Sequence, residues 1–323
     1  VARDNWTSRA FVEKWNGSTW SILGNSLTQA SANAIACTSA TSCLLVGRWD
    51  SGEAKSWTLN VTTGGTAITS SPVIPSEGKE VTLADLSCTS SSACTAVGTY
   101  QTNGGKTQTL AERWNGSSWS LQTTPNPETG TASLKSVSCD SASSCTAVGL
   151  TSLGGTFAER WNGTSWAIST TPNPAEATNS VLSGVSCTSA SNCIAVGDYK
   201  KASGVRLSLA ERWNGSSWAV LSTPNPAESK NSYLRSVSCA TSTSCEAVGD
   251  YATETISGVS VKGKTLTLRW NGTEWAIQSS PASSDVPSLL GVSCASTTAC
   301  TAVGGQSSLS EPTQRLPLAE QYG

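Results

Sequence analysis

Thirteen of the aromatic side chains in this chain are tryptophan, against five tyrosines and two phenylalanines, and ten of the thirteen stand in pairs around an Asn-Gly step: Trp15/Trp20, Trp114/Trp119, Trp161/Trp166, Trp213/Trp218 and Trp270/Trp275. An indole can lay a flat apolar face on the C–H face of a sugar ring while its N–H takes a hydroxyl. Hairpin tips are where binding residues are normally displayed. The second tryptophan of each pair lies just past the turn, so Trp20, Trp119, Trp166, Trp218 and Trp275 are the candidate ligand platforms, whereas their partners end a strand and read as packing residues. The competing role is structural, because indoles repeated in every unit also fill the gap between adjacent sheets.

Four charged dipeptides precede the first tryptophans: Glu13-Lys14, Glu112-Arg113, Glu159-Arg160 and Glu211-Arg212. Neighbours on a strand face opposite sides, so each pair is suited to bridging outward to adjacent sheets, with orientation of sugar hydroxyls as the alternative. Asp198 and Asp250 follow Val-Gly, but two carboxylates without the dense spacing of a calcium loop make a poor metal site. Histidine is absent, which excludes a Ser-His-Asp triad or a histidine base and leaves acid–base work to carboxylates or tyrosine. A glycosidase needs two carboxyl groups converging on one bond. Asp140, Glu246 and Glu254 break the repeat symmetry but form no recognisable constellation, so the reading is not an enzyme, and no cofactor is implied.

The elements that position these residues follow from the cysteines. All twelve occur in six pairs with a six-residue step, Cys37/Cys43, Cys88/Cys94, Cys139/Cys145, Cys187/Cys193, Cys239/Cys245 and Cys294/Cys300, and successive pairs begin 51, 51, 48, 52 and 55 residues apart. That period is the size of one four-stranded propeller blade. The clearest repeat reads as strands a (182–187), b (193–199), c (208–213) and d (218–222), because β-branched and aromatic runs alternate with Ser, Thr, Asn, Gly and Pro clusters without helical periodicity. The cysteines clip the loop of the a/b hairpin as a disulfide. A ring of about seven residues is worth roughly 2.4 kcal/mol on the chain-entropy estimate. Zinc is a remote alternative, since its cysteines stand closer together and need further Cys or His ligands. The Asn-Gly step predicts a type I′ turn between c and d. Thr-Pro-Asn-Pro at 124–127, 171–174 and 223–226 leaves the ladder and links one blade to the next. The first repeat departs from the pattern, with Lys-Ser-Trp57 where the others have Arg-Trp-Asn-Gly.

These features predict one all-β domain over residues 1–323, a six-bladed β-propeller of four-stranded blades with one disulfide per blade. The blades are approximately 33–80, 81–130, 131–178, 179–230 and 231–285, with 286–323 completed by 1–28 so that the two terminal segments close the ring. Strand c is then represented at both ends, by 9–15 and by 316–322, and one copy is surplus. Only 13% of residues are charged and the net charge is −2, which argues against nucleic acid or an anionic membrane as partner. No stretch approaches the roughly 18 apolar residues of a spanning helix. A disulfide framework persists in oxidising compartments, so the expected localisation is extracellular. The start at Val1, with no methionine and no apolar signal segment, suggests a mature, processed form.

Val-Ser-Cys-x5-Cys-x-Ala-Val-Gly (185–197) followed by Ala-Glu-Arg-Trp-Asn-Gly-Ser-Ser-Trp (210–218) resembles a group of secreted actinobacterial repeat proteins expected to form β-propellers. The resemblance covers nearly the whole chain and implies fold and secretion without a defined activity. The Asn-Gly-x-x-Trp turn is loosely similar to the Asp-box of sialidase-like propellers, and lectin propellers with repeated aromatic sites, including fucose-binding ones, are similar in plan. The function this favours is lectin-like binding of cell-surface or cell-wall glycans through several repeated weak sites. The alternative is a protein-interaction or targeting subunit of a larger secreted assembly such as a toxin particle, and a glycoside hydrolase is third.

Overall fold

The structure, a computed structural model, describes residues 3–4, 7–28, 30–39, 42–49, 55–62, 65–70, 75–76, 78–256, 259–280, 286–307 and 315–323. The described elements are all strands. In the clearest repeat, strands a (Ala177–Ser189), b (Asn192–Lys201), c (Arg206–Trp213) and d (Trp218–Leu221) hydrogen-bond in chain order as an antiparallel sheet. Four further sheets repeat this plan, over 30–70, 78–122, 132–168 and 231–278. Strands a and b run longer than the sequence suggested, because both continue past the apolar core into the loops beyond it.

Residues 1–28 and 286–323 each form a three-stranded sheet of their own, giving seven sheets for six disulfide repeats. Within these segments Thr7–Trp15 pairs with Trp20–Thr28, and Arg315–Tyr322 pairs with Ala299–Ser307. Both copies of strand c are therefore used, each inside its own sheet. By contact density the chain divides into two compact units, residues 1–145 with 160–167, and 146–159 with 168–323.

All six expected disulfides are formed: Cys37–Cys43, Cys88–Cys94, Cys139–Cys145, Cys187–Cys193, Cys239–Cys245 and Cys294–Cys300. In each, the Cα atoms lie 3.9 to 4.0 Å apart. They clip the a/b hairpins as expected, and their placement shows a second role. The a/b ladder continues one pair past the cysteines, as Ser39 opposite Ser42, Ser90 opposite Ala93 and Ser296 opposite Ala299, so the bond lies within the ladder. The second cysteine of each pair stands on strand b, where Cys94, Cys145, Cys193, Cys245 and Cys300 are buried and Cys43 is half-buried. Cys94 packs with Leu83, Ala96 and Trp114, so these sulfurs fill core space as well as closing a ring. The twelve cysteines are thus structural, and none is left as a thiol for ligand or metal.

The other repeated motifs also have mechanical roles. The serine before the first cysteine of a pair, in Val-Ser-Cys or Leu-Ser-Cys, joins neighbouring sheets: the Cys139, Cys239 and Cys294 N–H groups donate to the hydroxyls of Ser87, Ser186 and Ser238, each at 3.0 Å. The glycine of Ala-Val-Gly is fixed by close approach. Strand a bulges between Leu182 and Gly184, which drives the Val181 carbonyl towards Gly197, where a Cβ would lie 1.9 Å from that oxygen.

The Thr-Pro-Asn-Pro link does more than carry the chain onward. Asn126, Asn173 and Asn225 accept, at 3.0 Å, the backbone N–H of Thr109, Thr156 and Ser208, where strand c begins, and the link threonines bond the same three hydroxyls at 2.9 to 3.0 Å. The c/d connection is a four-residue loop and not the type I′ turn expected. Only its glycine has positive φ, 98° to 103°, while the asparagine side chain accepts two backbone N–H groups at 2.8 to 2.9 Å and so shapes the loop itself.

Candidate functional site

Four of the five candidate platforms are inside the protein. Trp119, Trp166, Trp218 and Trp275 are only 5% to 6% exposed, each tilted against its partner with ring centroids 5.5 to 5.8 Å apart. The pairs wedge into the preceding sheet: Trp213 and Trp218 share a core with Val148 and Ala158, and Trp270 and Trp275 with Ile194, Val196 and Ala210. The Trp218 N–H ties the wedge to the preceding repeat by donating to Ser169 Oγ at 3.2 Å, whereas Trp114 donates to the Ser91 carbonyl of its own a/b hairpin at 3.2 Å. A face that supports the neighbouring sheet is closed to a sugar, so the stacking role does not hold at these four positions. Trp20 (43% exposed) and its partner Trp15 (38%) keep open rings.

The Glu-Arg dipeptides split as the strand geometry requires. Glu112, Glu159 and Glu211 turn fully inward. Burial pushes the Glu211 carboxyl up to about 8, with the nearby Thr156 hydroxyl pulling weakly the other way. Glu246, buried on strand b of the next sheet, is likewise pushed up to about 7 by desolvation, partly offset by Arg269. The other symmetry-breaking acids are occupied locally, Asp140 by the Ser144 hydroxyl at 2.6 Å and Glu254 by Lys262 at 3.1 Å. Asp198 and Asp250 sit in ion pairs on strand b: Arg206 binds the buried Asp198, while Asp250 accepts from Arg235 Nε at 3.1 Å and Ser288 Oγ at 2.7 Å.

The arginines face the rim that carries the disulfide hairpins, and each meets a different environment. Arg113 reaches the next sheet and lies 5.3 Å from the Trp161 ring centroid. Arg269 also reaches the next sheet, where Nη2 donates to the Thr297 carbonyl. Arg160 feels the charge of Asp140. Arg212 instead folds back within its own sheet, donating from Nε and Nη2 to Asn192 Oδ1 at 3.2 and 3.1 Å. Asn192 is in turn held by its amide donating to Thr188 Oγ1 at 2.8 Å. The residue before the second cysteine is Ser, Ala, Ser, Ser or Ala in the other repeats, so this acceptor exists once.

Where Arg212 turns back, an open groove of about 630 Å³ remains. One wall is Thr188, Ser189, Ser191 and Asn192 of the disulfide hairpin, with Arg212 and Asn214 beside it; the other is Ala240, Thr241 and Ser242 of the next hairpin. The lining is hydroxyl, amide and guanidinium, it contains no carboxylate, and it stands on hairpins locked by Cys187–Cys193 and Cys239–Cys245. Such a surface can hydrogen-bond a polyhydroxylated ligand from preset positions and offers no general acid or base. Sequence reasoning missed it. The available signal was Asn192, a single amide in a column of Ser and Ala.

No protein-family model matches the chain, and no curated protein does. Among solved structures it is similar to YCF48 bound to a D1 peptide, at 15% identity, TM-score 0.52, and coverage of 95% of this chain and 83% of that one. It is also similar to a polysaccharide ulvan lyase bound to -[GlcA(1-4)Rha3S]-, at 11% identity and TM-score 0.56, covering 88% and 79%. A third is the fucose-recognising lectin of Aleuria aurantia, a six-bladed β-propeller, at 11% identity and TM-score 0.53, covering 90% and 91%. At such identities the likeness is one of fold, and with the repeated antiparallel sheets it establishes this chain as an all-β propeller carrying one disulfide in each of six repeats.

Proposed function

We propose that this protein is a secreted carbohydrate-binding propeller that works without catalysis, and that its principal site is the groove at Arg212 and Asn192. The observation that carries the reading is the groove lining, in which hydroxyls, amides and one guanidinium stand on two disulfide-clipped hairpins with no carboxylate among them. Sugars are recognised by such groups, and rigid support limits the entropy lost on binding. Six disulfides fit an oxidising, extracellular setting. The lectin among the similar structures shows that this architecture can recognise fucose; the lyase shows that it can also carry chemistry on a polysaccharide, which here would need an acid or base that the groove lacks. Four of the five hairpin indole pairs are committed to packing, so the reading centres on this groove and not on a ring of tryptophan sites.

The test is a glycan array followed by calorimetry on wild type, Arg212→Ala and Asn192→Ala, with Trp20→Ala as comparison. Binding lost in the first two and retained in the third supports the reading; binding lost only with Trp20→Ala moves the site to the exposed indole. A propeller holding a peptide among the similar structures keeps a protein partner as the second reading. A stoichiometric protein co-purifying from culture supernatant, with no glycan binding, would establish it in place of the first.

A further inference from the structure

From the groove geometry we infer that the ligand is an acidic glycan, one bearing a carboxylate or sulfate ester that pairs with Arg212. The inference rests on the carbohydrate reading above and sharpens it. Of the five guanidinium N–H donors, one on Nε and one on Nη2 go to Asn192 Oδ1, a neutral acceptor, and Nη1 has no acceptor among the described residues. The groove holds no Asp or Glu to neutralise the charge. The other rim arginines are placed differently: Arg160 has Asp140, Arg113 lies over an indole and Arg269 is tied to a carbonyl of the next sheet. Arg212 is therefore a fixed, half-buried cation at the edge of an open groove. The two-point grip on Asn192 fixes the plane of the fork, and a planar fork held in place recognises a carboxylate or sulfate bidentately better than it recognises a hydroxyl. Hydroxyls of Ser189, Ser191, Thr241 and Ser242 remain for the neutral part of the sugar. With a net charge of only −2 the protein supplies little long-range field of either sign, so the preference is local to this side chain.

The experiment compares ligands that differ only in the anion. Calorimetry is run with tetragalacturonate and its methyl ester, and with dextran sulfate and dextran of equal length, at low and physiological salt, with inorganic sulfate as a separate arm. The acidic member of at least one pair should bind about tenfold more tightly than its neutral counterpart. Arg212→Gln should abolish that difference while Arg212→Lys keeps part of it, and thermal melts of each variant verify folding. Sulfate alone competing as well as the polysaccharide would show a simple anion site and overturn the glycan assignment. Equal binding of acid and ester, and of dextran sulfate and dextran, would overturn the acidic preference and leave the carbohydrate reading standing. Binding to no member of this set or of a broad glycan array would overturn both. The acid-against-ester comparison on wild type needs no variant.

Discussion

Glu211 gives the molecule a pH dependence whose sign is opposite to that of a carboxylate in a salt bridge. Its side chain is fully buried on strand c, and the same ladder position is Leu59 in the first disulfide repeat and Leu268 in the fifth. Its pKa is raised from 4.5 to about 8 chiefly by desolvation. In the folded state the carboxyl holds its proton through neutral pH, while in the unfolded chain it loses it near 4.5. The unfolded state therefore binds fewer protons between these values, and stability falls as pH rises from about 4.5 to about 8, then levels off. At 1.36 kcal/mol per pH unit the span of about 3.5 units corresponds to at most about 5 kcal/mol. The assay is urea unfolding with disulfides intact at pH 5, 7 and 9 for wild type, Glu211→Gln and Glu211→Leu. Both variants should gain on wild type by several kcal/mol between pH 5 and pH 9, and the leucine, which the fold already accommodates at the same position elsewhere, should be the more stable at pH 9. A pH slope unchanged by either substitution would refute the reasoning, since the carboxyl would then be ionised or hydrated in the folded state.

Three further outcomes are expected. Gly197→Ala places a Cβ on the Val181 carbonyl and should cost roughly 3 kcal/mol or more, seen as a lowered Tm, because backbone on both sides of the bulge cannot give way. Trp218→Ala should cost about 3 to 5 kcal/mol as a core truncation, while Trp20→Ala should cost under about 1 kcal/mol and lower the iodide-quenchable fluorescence; equal costs would contradict the packing described. Asn225→Ala leaves the Ser208 N–H without its acceptor and should cost about 1 to 3 kcal/mol in denaturant unfolding without altering glycan binding, since the link lies outside the groove.

Much of the architecture was legible in one dimension. The six-residue cysteine step identified the a/b hairpins and their disulfides, and Asn-Gly marked the c/d connection, because covalent ring size and local backbone preference act over a few residues. That Cys94, Cys145 and Cys300 would be core residues was not legible, since the neighbouring side chains that cover them come from elsewhere in the chain. The turn type was misread where a side chain took over: the asparagine amide oxygen collects two N–H groups, and the loop widens to four residues. Val-Ser-Cys and Thr-Pro-Asn-Pro were visible as motifs, but their hydrogen bonds run between sheets and back to strand c, over distances that spacing does not encode.

The period, the strand order and the sulfur clips are thus written in the chain itself, since each depends on residues close in sequence. What only the tertiary structure decided is which repeated side chains remain open. An indole's exposure is set by the sheet stacked against it, so one hairpin motif yields a sealed Trp218 and an open Trp20. Likewise one arginine motif yields three filled or tethered positions and, where a lone asparagine draws the guanidinium back, the groove at Arg212.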